Sequence, residues 1–220
     1  MSKNFKGYMG DQIGKLGPAV GRRWKGKMIY AAYQGNVSDP KTDRQLLVRA
    51  RFALLGSLSA TLLSAIRVGL ALRASKLHIT EGNLFMKCNT SAVSGNDPAA
   101  LTVAYDELKL SEGNLTGVDF GTPSFTDPLE VSVPITNGNL EADDAHADDR
   151  VYVAVYCPDM DKAVVSPGTA KRSDNGVAVS VPASWQGMKV HVYGFVKARD
   201  TAKQPTLVSD TDYCGFGNIS

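Results

Sequence analysis

Apolar positions recur at helical spacing through one stretch of this chain and at every second residue through most of the chain after it. From Thr42 to about Ala74, Leu47, Leu54, Leu55, Leu58, Leu62, Ile66 and Leu70 fall on one helical stripe, which predicts a single long helix. Thr42 and Gln45 stand at capping-box spacing, with Pro40 upstream and Asp43 in the first turn, where the helix dipole favours an anion. No residue from Phe52 to Ile66 is charged, so this section is expected to be enclosed by protein. The uncharged run is 15 residues. A membrane span needs about 20, and this run also carries Ser57, Ser59 and Ser64 with Arg67 directly after it. The expectation is a core or inter-subunit helix, with no membrane. Gly56, Ala60 and Ser64 recur every four residues and would let another backbone approach.

A short second helix is expected at TEGNLFMKC, with Thr80 as its cap and Leu84, Phe85 and Cys88 packing. From Ala100 the period changes to two. LTVAYDELKL, PLEVSVPI, RVYVAVYC, GVAVSVPA and MKVHVYGFVKA read as strands bounded by Gly, Pro, Asn or Asp. In RVYVAVYC and MKVHVYGFVKA both alternating faces are apolar, as expected where one face is core and the other packs on a helix or a partner. Short strands with no helical spacer between them predict an antiparallel, immunoglobulin-like β-sandwich. The opening is different. Gly7, Gly10, Gly14, Gly17, Gly21, Gly26 and Gly35 punctuate short β-like pieces, and Arg22–Tyr33 reads as a strand after a turn. The fold expected is α+β: a basic N-terminal arm and long helix (residues 1–90), then the β-sandwich (residues 91–220).

Charge sharpens this division. The net charge is only +2, yet residues 1–80 hold 14 Lys/Arg against three Asp, and residues 81–220 hold 10 against 19 Asp/Glu. Such polarity fits a polyanionic partner for the first part, or head-to-tail packing of identical subunits. Lys15, Arg22, Arg23, Lys25 and Lys27 surround Trp24 and Tyr30, combining cations with stacking surfaces as single-strand nucleic-acid binders do. Lys15, Arg22, Arg23, Trp24, Lys25 and Lys27 are therefore the candidate nucleic-acid or partner-binding residues.

Signals for chemistry are weak by comparison. GKLGPAVG lacks the order of a phosphate loop, and no nucleophile elbow is present. The acidic run EADDAHADD (Glu141 to Asp149) lacks calcium-loop spacing and reads as a solvated turn. His78, His146 and His191 lie in separate segments, and Cys88, Cys157 and Cys214 are too scattered for a disulfide framework or zinc site. No catalytic, cofactor or metal residue is expected, and no small-molecule substrate. The opening MSKNFKGYMGDQ lacks the apolar core of a secretory signal, so cytosolic synthesis is expected.

The segments GKLGPAVGRRWKGKMI, NVSDPKTDRQLLVRARF, ELKLSEGNL, DDRVYVAVYCP, VPASWQGMKVHVYGFVKARD and SDTDYCG together resemble an uncharacterised domain family. That family is abundant in Bacteroides and related bacteria and in their phages and mobile elements. The resemblance implies a basic N-terminal segment before helices and a C-terminal β-domain. It brings no catalytic residues. Pro18 departs from a regular hairpin in the opening. The function expected is that of a non-enzymatic structural protein, a phage virion component in the particle or in host cytoplasm before assembly. Its partners would be copies of itself or other virion proteins. The alternatives are a nucleic-acid-binding protein and a sandwich that binds carbohydrate through Tyr193, Trp185 or the acidic turn.

Overall fold

The computed structural model describes residues 3–5, 11–36, 39, 41–126, 128–199 and 207–220. Gly7, Gly10 and Pro40 lie outside them. The chain divides into two compact units, Met1–Thr42 and Asp43–Ser220.

The first unit is a four-stranded antiparallel meander of β1 (Lys3–Phe5), β2 (Asp11–Leu16), β3 (Ala19–Trp24) and β4 (Lys27–Ala32). The pair Leu16↔Ala19 closes around Gly17–Pro18. Pro18 therefore sits in a hairpin turn, outside the ladder, where its missing N–H costs nothing. Its carbonyl accepts from the Tyr33 N–H at 2.6 Å. The expected strand Arg22–Tyr33 is instead broken by a second two-residue turn at Lys25–Gly26. Their φ values of 44° and 80° are the positive angles a tight hairpin of right-handed twist needs.

The second unit stacks helices on one sheet and a second sheet behind it. The predicted long helix is three helices: α1 (Asp43–Thr61), α2 (Leu63–Gly69) and α3 (Ala71–Leu77), followed by α4 (Glu81–Cys88). The chain bends by 82° between α1 and α2. Burial explains the break. A straight helix over residues 42–74 would run about 50 Å, whereas the eight- and nine-residue strands beneath span about 30 Å. Bending at Leu62 and Leu70 keeps Leu62, Ile66, Leu70 and Ala74 all at 0% exposure. Gly69 sits against the backbone of Leu110 and Ser111, an approach that leaves no room for a Cβ. Among the described residues no single helix is long and apolar enough to cross a membrane; α1 and α2 meet that test only as a bent pair. The expected second helix forms as α4, with the Thr80 hydroxyl accepting from the Asn83 N–H at 3.2 Å.

Beneath the helices lies a sheet of order β10-β9-β12-β13, built from β9 (Arg150–Cys157), β10 (Lys162–Val165), β12 (Lys189–Lys197) and β13 (Asp212–Asn218). Its two central strands carry apolar residues on both faces, and each face has its own core. Tyr152, Ala154, Tyr156, Tyr193 and Phe195 pack with Leu58, Leu62, Ile66, Leu70, Leu84 and Phe85 from the helices. Val151, Val153, Val155, Val190, Val192 and Val196 face the other way. They join Val131, Val133, Val177 and Val179 of a sheet of order β11-β8-β7, formed by β7 (Asp119–Phe120), β8 (Glu130–Asn137) and β11 (Gly176–Ser180). Each fully buried valine removes apolar surface worth about 1.5–3 kcal/mol from water. The fold is α+β with antiparallel sheets.

One expected strand is mostly not a strand. In LTVAYDELKL only Thr102–Val103 (β6) pairs, with Val93–Ser94 (β5), and Tyr105–Glu107 form a 3₁₀ turn. Side chains satisfy the rest of its backbone. Asn89 donates to the Lys109 carbonyl at 3.0 Å and accepts from the Lys109 N–H at 2.7 Å. The Thr211 hydroxyl accepts from the Leu110 and Ser111 N–H groups at 2.8 and 2.6 Å. A segment so satisfied needs no ladder partner.

Candidate functional site

The register of the first unit sorts its side chains by face. Lys15, Val20 and Ala31 share one side with Arg22, Ile29, Trp24 and Lys27; Gly21, Tyr30, Arg23 and Met28 point to the other. Lys15, Arg22, Trp24 and Lys27 thus stand together. Arg23 is turned away, with its guanidinium 3.5 Å from the Asp11 carboxylate, and Lys25 occupies the turn. The Lys15 ammonium lies 3.6 Å from the centroid of the Tyr33 ring, a cation–π contact. Little of this sheet is covered. Among residues 11–36 only Gly21 is buried, while Trp24 and Tyr30 keep 44% and 54% of their surface. Residues 1–42 hold eight Lys/Arg against two Asp. An open sheet bearing aromatics among cations can stack on bases or dock against an acidic protein surface.

The acidic run does not behave as one solvated turn. Glu141, Asp143 and Asp148 are exposed, but Asp149 is fully buried beside the equally buried Arg172. Arg172 Nε donates to Asp149 Oδ2 at 3.1 Å, Nη1 donates to the Gly117 and Gly138 carbonyls at 2.9 Å each, and Nη2 donates to the Thr116 carbonyl. The His146 N–H completes the shell on Asp149 Oδ2 at 2.9 Å, and the Arg199 N–H donates to Oδ1 at 3.0 Å. Asp144 accepts from the Thr116 hydroxyl at 2.7 Å and from its N–H at 2.8 Å. Those bonds, the hydroxyl's first, hold its carboxyl below the usual range. Sequence reasoning missed Arg172 because KRSDNG reads as an ordinary polar turn. Among the described residues no group of three or more His, Cys, Asp or Glu side chains is placed to hold a metal ion. Tyr193 and Trp185, the expected ligand-facing aromatics, are both at 0% exposure.

A family model matches residues 10–210, and its description is a family of unknown function (DUF6266). The chain belongs to this family. Neither the curated proteins nor the solved structures contain a match to it. The DUF6266 match crosses the boundary at residues 42 and 43, so the basic sheet from β2 onward and the larger unit belong to one family pattern.

One further cluster in this DUF6266 chain is electrostatically distinctive. The buried His191 ring stacks on Tyr105 at 4.5 Å between centroids, and its Nδ1 lies 2.7 Å from the Tyr213 hydroxyl. Burial, aided by Lys189, lowers its pKa from 6.5 to about 4, against a small opposing pull from Asp106. Burial also raises the Tyr156 and Tyr193 hydroxyls well above the tyrosine range. Because the folded pKa of His191 lies below the unfolded one, the unfolded chain takes up the proton first as pH falls. Its neutral burial therefore costs nothing above pH 6.5 and destabilises progressively down to about pH 4. The full linkage value is about 3 kcal/mol, reduced by solvent at the ring edge to roughly 2 kcal/mol. The stability difference between wild type and His191→Phe should be constant above pH 6.5 and shift by that amount toward pH 4. A difference that stays constant throughout would exclude this burial effect.

Proposed function

We propose that this chain is a non-enzymatic structural or assembly protein that docks on neighbouring subunits through its N-terminal sheet. The single observation carrying this reading is a folded sheet whose described residues bury almost nothing and present Trp24, Tyr30, Tyr33 and Leu16 to solvent. A few strands with no core of their own are marginal in water, so such a sheet gains by being covered. The excess of carboxylates in residues 81–220 supplies a complementary surface on a second copy. On this reading the second unit is an immunoglobulin-like sandwich backed by helices, supported by the valine core that its two sheets share. The setting proposed is a phage virion of the Bacteroides type, with the host cytoplasm as the place of synthesis.

Light scattering at low and high salt tests the proposal. The expected result is a defined oligomer whose mass falls as salt rises, and which reverts to monomer in Trp24→Ser/Tyr30→Ser. A monomer at every concentration and salt would overturn it.

Lys15, Arg22, Trp24 and Lys27 on one face favour a second reading, contact with single-stranded nucleic acid. Affinity would then fall steeply with salt, with a log–log slope of about −0.7 per phosphate neutralised. Unchanged affinity in Arg22→Glu/Lys27→Glu would rule this reading out.

A further inference from the structure

The first unit ends in an edge strand without the usual guards. β4 follows the two-residue turn at Lys25–Gly26, so the flanking pair Trp24↔Lys27 exchanges backbone bonds. Bonded pairs then alternate along the ladder as Arg22↔Ile29 and Val20↔Ala31. The Tyr33 N–H on the Pro18 carbonyl keeps the same phase. Met28, Tyr30 and Ala32 therefore turn their N–H and C=O groups away from β3. Among the described residues no strand pairs on that side. Such a row is a template for another strand, and edges are commonly blunted by charges, prolines or bulges. From Met28 to Ala32 the chain reads MIYAA, with no charge, proline or glycine. By contrast β13, an edge of the larger unit, opens on Asp212 and loses register beside Gly215.

The pattern of β4 matches a second copy of itself. Antiparallel pairing about Tyr30 sets Tyr30 against the partner's Tyr30, Met28 against the partner's Ala32 and Ile29 against the partner's Ala31. Large side chains then meet small ones, and two rings meet at the axis. Lys27, the one charge of the strand, falls opposite the partner's Tyr33, whose ring face attracts a cation. Parallel pairing in register would instead set Lys27 against the partner's Lys27.

We infer that two copies of this chain join edge to edge through β4, making one continuous sheet across a two-fold axis. The inference rests on the proposed docking role of the N-terminal sheet and adds a contact that the faces do not make. The axis stands perpendicular to the joined sheet. The faces that carry Arg22 and Trp24 thus stay together on one side, uncovered, and edge pairing does not compete with face docking.

Light scattering of the full chain should show a dimer that persists at high salt, because backbone bonds carry the contact. Ala32→Pro removes an outward N–H and leaves the β3–β4 ladder whole. It should weaken the dimer at least about tenfold. Tyr30 belongs to both the edge and the face, so Trp24→Ser alone is the face variant, and it should keep the dimer. Cross-linking checks the register independently, in a Cys88→Ser/Cys214→Ser background. Tyr30→Cys should form an inter-chain disulfide on mild oxidation. Ala31→Cys should not, since its counterpart lies about 7–8 Å away on the diagonal, beyond disulfide reach. No disulfide in Tyr30→Cys, or equal yield in Ala31→Cys, would overturn the inference. An oligomer kept in Ala32→Pro but lost in Trp24→Ser would also overturn it, while leaving face docking in place.

Discussion

Arg172→Met should destabilise the protein by about 3–5 kcal/mol, the range for breaking a buried ion pair by removing one partner. Arg172 and Asp149 both have fully buried side chains. Methionine fills much of the same volume but leaves a carboxylate without its countercharge. Asp149 would retain the N–H groups of His146 and Arg199, the Thr116 and Gly138 carbonyls would lose the guanidinium donor, and the Gly117 carbonyl would keep only the Asn139 amide at 3.2 Å. Adding Asp149→Leu should recover part of the loss, because the unpaired charge is then gone while the Thr116 and Gly138 carbonyls still lack the guanidinium. Urea unfolding of the single and double variants measures this. A single variant within about 1 kcal/mol of wild type would mean that water or another group enters to replace the guanidinium.

Leu62→Ala should cost about 2–5 kcal/mol through lost burial and the cavity left behind. Leu62 sits at the bend between α1 and α2, fully buried, with its N–H donating to the Leu58 carbonyl at 2.9 Å. It belongs to the cluster that joins the helices to Tyr152, Tyr193 and Phe195 of the sheet. Phe52, two turns or more toward the N-terminus of α1, is a larger apolar residue but 58% exposed. Phe52→Ala should therefore stay within about 0.5 kcal/mol. The pair of unfolding midpoints tests which residues of this apolar run face the core. A Phe52 effect larger than that of Leu62 would refute the assignment.

Strands β8, β9, β11 and β12 were legible because valine alternates through each and turn residues bound them. The doubly apolar faces of β9 and β12 even announced two layers of cover. Periodicity also located the helical stretch, but not its breaks, since Leu62, Ile66 and Leu70 keep their spacing through the bend. What divides the helix is the size of the sheet below it, which no local pattern encodes. β13, DYCGFGN, was missed because glycine weakens strand propensity. Here Gly217 admits the Phe125 ring, and Gly215, at φ 135°, lies where the register with β12 shifts. The basic patch was visible as composition, yet only the register showed that Arg22 and Arg23 point to opposite faces. Asp149 and Arg172 meet from two polar turns 23 residues apart, and sequence carries no signal for that meeting.

The two units also differ in how far along the chain their contacts reach. In the first, each strand pairs with its immediate neighbour in sequence. In the second, Arg150 waits for Lys197, and the Leu110 N–H waits for a hydroxyl 101 residues later. Short-range pairings close quickly and long-range ones slowly. At about 5–20 residues per second, the ribosome needs roughly 10–35 s to deliver Asp43–Ser220 after the meander has emerged. Through that interval the meander can complete its pairings while the larger unit cannot, so its exposed strands meet neighbouring nascent chains and proteases before the rest of the molecule does.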